Sequence, residues 1–262
     1  IISLGWEWAF YLFGVIGIIW FFFWNKNVTS YPRDHKKISS EELNYIENNA
    51  PASEAITQIP LSKLLSNLPF IAIIVATFAN NWSLLVFLSF LPKFVDNELG
   101  VDLSSGSFLV LIIIPSIVSV IALNLGGYIA DTLIKKGYKV IKVRKSANSI
   151  GFFGSAACLF TIPFLNDVYT IIGLICMTNI FTGAAAGGFG VNHADLGPKS
   201  TGTLVGIAST LGTAAGVLGN IISGIVLDLT QSWTLVFFIA AGLLVFGGFF
   251  YLLFASDKKQ FD

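Results

Sequence analysis

Charge is what this sequence has least of. Only 11% of its 262 residues are Asp, Glu, Lys or Arg, against about 25% in an ordinary soluble domain. The gaps between charges repeatedly reach the ~20 residues needed to cross ~30 Å of hydrocarbon. Hydrophobic residues make up 55% of the chain and the mean hydropathy is +0.78. A soluble fold of this length has no use for such runs, so the chain reads as an all-α polytopic membrane protein. Cysteine is nearly absent too: Cys158 and Cys176 both lie in apolar runs, which excludes a disulfide framework. There is no HExxH, no GxSxG and no pair of intramembrane aspartates, so no catalytic residue is expected, and neither a metal nor a cofactor is implied.

What is present is a regular alternation. Seven spans can be read at roughly 6–24, 67–91, 106–130, 147–165, 168–190, 202–227 and 233–255. The intervening charges are one-sided. Of the 15 basic residues only Lys93 falls on one side, with Asp96, Glu98, Asp102, Asp167 and Asp228. The other side collects Lys26, Arg33, Lys36, Lys37 and Lys63, then Lys135, Lys136, Lys139, Lys142, Arg144 and Lys145, then Lys199, Lys258 and Lys259. The positive-inside rule assigns that side to the cytoplasm or its topological equivalent, and Asn27-Val28-Thr29 is then an unused glycosylation pattern. An odd span count, with Met177 the only methionine and Ile1 at the start, points to the C-terminal part of a longer, even-numbered bundle.

Segment 25–66 is the one long connection. Ser39-Ser40-Glu41-Glu42 has the capping-box form, which predicts a short helix running towards Asn48. Pro51 and Pro60 bound a linker, and Leu61, Leu64 and Leu65 form an apolar stripe beside the membrane. A surface helix joining two halves of a bundle is the expectation.

Polar residues inside spans mark helices that face protein or water. The first span after Glu7 and the last after Thr234 carry almost none, and lipid contact all round is expected of both. Asn80, Asn81 and Ser83 sit mid-way along the second span and Asn124 late in the third. Thr178, Asn179 and Thr182 occupy the fifth, and Ser209, Thr210, Thr213 and Asn220 the sixth. Any one of these can simply bridge helices, but their spread over four helices favours a shared interior site. Gly183-AAA-Gly187 and Gly212-TAA-Gly216 are small-xxx-small patterns for close helix approach, and Pro115 and Pro163 predict kinks.

Gly127-x-x-x-Asp131 followed by Lys135-Lys136 resembles the loop signature of the major facilitator superfamily, which in that fold recurs after the second and eighth helices. The resemblance implies that the seven spans correspond to helices 6–12 of a twelve-helix carrier. Residues 1–24 would then be the last helix of the N-terminal half, 25–66 the cytoplasmic inter-half loop with its short helix, and 67–262 the C-terminal six-helix bundle. GWEWAFYLFGVIGIIW (5–20), GGYIADTLI with VRK (126–145), NHADLGPK (192–199) and GTLVGIASTLGTAAGVLG (202–219) resemble the anion:cation symporters. That group includes sialin, the vesicular glutamate carriers and the plant plastid phosphate carriers, and the plant phosphate branch looks most similar. Asn80 stands where the group commonly has Arg or His, and Glu7 where it usually has Pro.

The resemblance implies a secondary active transporter working by alternating access. Its partners would be the lipid bilayer, a substrate that is phosphate or another small anion, H+ or Na+ as coupling ion, and the N-terminal half of the same chain. A plastid or other endomembrane would hold it. The substrate-binding candidates are Asn80, Asn81, Trp82 and Asn179, since Asn80 and Asn179 fall near the bilayer midplane, where such carriers hold substrate. The gating candidates are Asp131, paired with Lys135, Arg144 or Lys145, together with His193 and Asp195 at the end of the fifth span. A seven-helix receptor fits the helix count but not the signature after the third span. A carrier-like structural subunit of a large membrane assembly, without transport, stays open as the alternative.

Overall fold

The structure, a computed structural model, describes residue 5 and residues 7–49, 59–100 and 106–261. It divides into two units, Ile1–Ala55 and Ile56–Asp262. In the first, α1 (Glu7–Asn27) is apolar on every face and buries nothing within its own unit. A 3₁₀ turn at Pro32–Asp34 leads to α2 (Ser40–Asn49). The Glu42 N–H donates to the Ser39 hydroxyl at 3.1 Å, so the capping residue read in the sequence starts this helix.

The second unit is helical throughout its described residues: α3 (Leu61–Leu65), α4 (Leu68–Leu99), α5 (Gly106–Lys135), α6 (Val140–Thr161), α7 (Val168–Ala185), α8 (Asn192–Leu196), α9 (Thr201–Thr230) and α10 (Trp233–Phe254). The ends follow from local chemistry. Asn67 accepts from the Phe70 N–H at 3.0 Å to start α4, and Gly100 ends it with φ 62°, a left-handed position that glycine fills without strain. Asp167 starts α7, accepting from the Thr170 N–H at 2.8 Å and its hydroxyl at 2.6 Å. These bonds, the hydroxyl first, hold the Asp167 carboxyl below its ordinary pKa.

Seven helices, α1 and six in the second unit (α4–α7, α9, α10), are long and apolar enough to span a membrane, and the chain is an integral multi-pass membrane protein. The expected cores of the spans hold, but at the basic end the helices continue past them. Residues 131–146 are not a loop: α5 runs to Lys135 and α6 starts at Val140. Charge ends a hydropathy window, but it does not break the backbone ladder, so Asp131, Lys142, Arg144 and Lys145 are helical.

Helix α4 packs on α9 and α10, α6 on α7 and α10, and α5 on α7. The α5–α7 seam is very close. A Cβ on Gly183 would lie 2.5 Å from the Ala122 backbone, and one on Gly126 would collide with the Gly183 carbonyl. The expected all-round lipid exposure of the last span is overturned. Helix α10 buries Trp233, Phe237, Ala240, Leu244, Gly247 and Tyr251, with Phe152 3.1 Å from where a Cβ on Gly247 would sit. Inside a membrane bundle lipid and protein are equally apolar, so an absence of polar residues does not tell a packed face from a lipid-facing one.

Candidate functional site

Because α5 leans on α7 and α4 leans on α9 and α10, a gap opens between α4 and the α5–α7 pair. It encloses about 310 Å³. Asn80, Ser83 and Phe87 line it from α4, Pro115, Ser116 and Ser119 from α5, Thr178, Asn179 and Thr182 from α7, and Leu244 from α10. Asn80 lies ~18 Å along its helix at 1.5 Å per residue. The Asn179 Nδ2 donates to the Pro115 carbonyl at 3.0 Å, fixing that amide across the α5–α7 seam. Thr178 donates to Leu174 O at 2.9 Å and Thr182 to Thr178 O at 2.8 Å, and Ser155 on α6 lies 3.2 Å from the Thr182 hydroxyl. No charged side chain lines the cavity among the described residues.

Two of the four substrate-binding candidates, Asn80 and Asn179, share this cavity. The other two point elsewhere. Asn81 faces α9, its Nδ2 2.8 Å from where a Cβ on Gly212 would sit, and Trp82 is buried against Gly219. Consecutive residues on a helix diverge by about 100°, so Asn80-Asn81-Trp82 cannot all face one space. Ser116 and Ser119 were missed as site residues, and Ser83, Thr178 and Thr182 were noted only as interior polar groups. The available signal was spacing: Asn80, Ser83 and Phe87, like Ser116 and Ser119, recur at one-face helical intervals.

A second polar group gathers at the basic end. Helix α7 finishes in a π-helical turn, Ala186–Gly190, before α8. Arg144 on α6 donates from Nη1 to Gly187 O in that turn at 3.0 Å, and from Nε to Asp195 Oδ2 on α8 at 2.9 Å. Asn192 donates to Asp195 Oδ2 and to Ser256 O, each at 3.0 Å, and accepts from the Tyr251 hydroxyl on α10 at 2.9 Å. The segment after α10 continues across the same end. Asp257 accepts from the Ile141 N–H at 3.1 Å, Asn67 donates to Gln260 at 3.0 Å, and buried Phe261 lies edge-on to Phe70.

The expected pairing of Asp131 with Lys135, Arg144 or Lys145 is not made. Asp131 is exposed and has no ion-pair partner among the described residues, while Arg144 is engaged by Asp195. The two arginine contacts lie on the inner face of α6, which a solvent-facing aspartate on α5 does not reach. Lys135 is exposed and Lys145 half-buried. His193 is buried in α8, and neither ring nitrogen has a hydrogen-bond partner among the described residues. Of the six gating candidates the structure joins Arg144 and Asp195 directly and places His193 in the same short helix as Asp195. No group of three or more His, Cys, Asp or Glu suited to a metal occurs among the described residues.

A bundle of long apolar helices around a polar cavity, with a charged clasp at one end, has the architecture of a membrane carrier. Residues 1–143 match the family model of the Major Facilitator Superfamily. The chloroplastic ascorbate transporter of Arabidopsis thaliana is 35% identical over 265 residues, covering 100% of this chain and 48% of that protein. The chloroplastic sodium-dependent phosphate transport protein 1 of the same plant is 32% identical, covering 99% and 50%. Human sialin is 33% identical, covering 98% and 52%. The chain belongs to the major facilitator superfamily, within its anion:cation symporter group. It spans about half the length of the relatives it matches.

Proposed function

We propose that this chain supplies the C-terminal six-helix bundle, and the last helix of the N-terminal half, of a secondary transporter for phosphate or a small organic anion. Residues 1–24 are that last helix, 25–66 the inter-half loop and 67–262 the bundle, with the basic end in the cytoplasm or its equivalent. Transport is driven by H+ or Na+ and runs by alternating access. The observation that carries this reading is the cavity of about 310 Å³ at mid-helix depth, with Asn80 and Asn179 on opposing walls. Polar groups at such depth are costly unless they face protein or a wet cavity, and carriers of this kind bind at the midplane between two halves. The relatives' names, which include ascorbate and phosphate carriers, support an anion as the cargo. Its countercharge comes from the other half, since the cavity wall contributes amides and hydroxyls alone.

In this reading the Arg144–Asp195 pair with His193 belongs to the cytoplasmic closure, and Asp131 pairs in another state or with the other half. The test is uptake into liposomes by the full-length protein under an imposed H+ or Na+ gradient. Uptake of an anion that falls several-fold in Asn80→Leu, at unchanged protein level, is the expected result. If no anion moves, and the protein instead copurifies in fixed ratio with a larger membrane assembly, the structural-subunit reading replaces this one.

A further inference from the structure

We infer that the cavity between α4 and the α5–α7 pair receives the uncharged, hydroxyl-bearing part of an organic anion rather than an inorganic oxyanion. The inference rests on reading this cavity as one half of the transport site. It comes from which polar atoms are already used. The hydroxyls of Thr178 and Thr182 are committed to carbonyls of their own helix, at 2.9 and 2.8 Å. The Asn80 amide and the Ser119 hydroxyl have no hydrogen-bond partner among the described residues. Neither does the Ser83 hydroxyl, although Ser83 is only 8% exposed.

Asn179 adds a constraint of sign. The Pro115 carbonyl can only accept, so the atom facing it at 3.0 Å must be the amide nitrogen. That leaves Oδ1 as the remaining polar atom of this amide, and Oδ1 can only accept. The unused set therefore mixes donors with a fixed acceptor. A phosphate or carboxylate oxygen has no proton to give such an acceptor, and no ammonium or guanidinium lines the cavity to offset the desolvation of a charge. An alcohol both gives and accepts, so it can satisfy every group in the set. Size agrees: the cavity of about 310 Å³ equals the space of roughly ten waters. A five-atom oxyanion would leave most of that space empty. A polyol chain fills it, its carbons against Phe87 and Leu244 and its hydroxyls against Asn80, Ser83, Ser119 and Asn179.

Three probes of single type separate the possibilities in the full-length protein: gluconate, hexanoate (the same carbon count and carboxylate, without the hydroxyls) and inorganic phosphate. Each is titrated as a stabiliser in detergent by thermal shift, and as a competitor of uptake in liposomes. Gluconate should bind at least about tenfold more tightly than hexanoate, the scale of one or two hydrogen bonds, and more tightly than phosphate. Ser83→Ala, a minimal change, and Asn179→Leu should each narrow the gluconate-to-hexanoate gap to about threefold or less. Equal or better binding of hexanoate or phosphate overturns the inference, as does a gap that both variants leave intact. Phosphate uptake without gluconate preference sinks the inference and leaves the carrier reading standing. Selective gluconate binding without uptake of any anion does the reverse.

Discussion

Arg144 and Asp195 meet at 2.9 Å with side chains only 9% and 18% exposed, and the same guanidinium holds the Gly187 carbonyl at 3.0 Å. One side chain on α6 therefore ties both sides of the irregular junction between α7 and α8. Asn192 extends the tie to Tyr251 on α10 and to the chain beyond it. A π-helical turn leaves carbonyls poorly satisfied by its own ladder, and Arg144 supplies what that ladder lacks.

Removing one partner of this pair strands a charge that water barely reaches. Asp195→Ala should lower stability by about 3–5 kcal/mol, whereas Arg144→Met with Asp195→Leu should cost much less, because no uncompensated charge remains. Thermal unfolding in detergent reads both. A double variant as unstable as the single would mean that the Gly187 contact, not the ion pair, holds the junction.

The α5–α7 seam is predicted to tolerate nothing larger than glycine at position 183. A Cβ there would stand 2.5 Å from the Ala122 backbone, and overpacking of this kind costs about 1–3 kcal/mol. Gly183→Val should reduce the yield of folded protein and widen the cavity by moving α5 off α7. Gly127 sits on the same helix with open space around it, so Gly127→Ala should be silent. Equal loss from both variants would remove the packing argument.

The start of α7 carries a pH dependence of known sign. The Thr170 hydroxyl and N–H hold the Asp167 carboxyl below its ordinary value. Its capping is thus fully present above the ordinary Asp range of about 3.9 and is lost as pH falls through the lowered folded value. Hydrogen exchange at the Thr170 amide should accelerate, relative to its intrinsic rate, only below about pH 4. Asp167→Asn should keep the cap and abolish that dependence. Acceleration already at neutral pH would contradict it.

Legibility in the sequence followed the strength of the physical signal. The spans could be read from uncharged runs because hydrocarbon leaves no other use for them, and Ser39 could be read as a cap because the pattern is local. The faces of the helices were harder. Asn80, Asn81 and Trp82 are neighbours in sequence, yet only the first reaches the cavity, since direction depends on which helix α4 meets. Helix α10 looked lipid-facing because burial in a membrane bundle leaves no polar mark. Asp131 and Arg144 looked like partners because they bracket one basic turn. Asp195, fifty-one residues beyond Arg144, takes the arginine through tertiary packing that local charge patterns cannot show.

Asp131 is therefore informative as a position that is free in this conformation. It is exposed and makes no ion pair among the described residues. Asp131→Asn should leave the melting temperature of the protein within about 0.5 kcal/mol of its original stability, as for surface changes generally. If it pairs in another state, the same variant should slow transport several-fold. A large loss of stability would place Asp131 in a contact of the ground state and end its assignment to the switch.

Asn80→Arg tests the charge logic of the whole cavity. The wall holds amides and hydroxyls, with no carboxylate to neutralise an added guanidinium among the described residues. The variant must therefore accept a cation ~18 Å along its helix, which destabilises the empty protein but favours a bound anion. Two unit charges ~4 Å apart attract by about 4 kcal/mol at an effective dielectric of 20, most of which is spent on desolvation. A net gain of about 1.4 kcal/mol would raise anion affinity tenfold. Selectivity should then move towards phosphate and other multiply charged anions, with protection against thermal unfolding appearing only when such an anion is added. Comparing phosphate and monocarboxylate uptake in wild type and variant at constant ionic strength measures the shift. If Asn80→Arg changes neither preference nor anion-dependent stability, Asn80 does not face the substrate, and the polar wall of α4 is part of the packing alone.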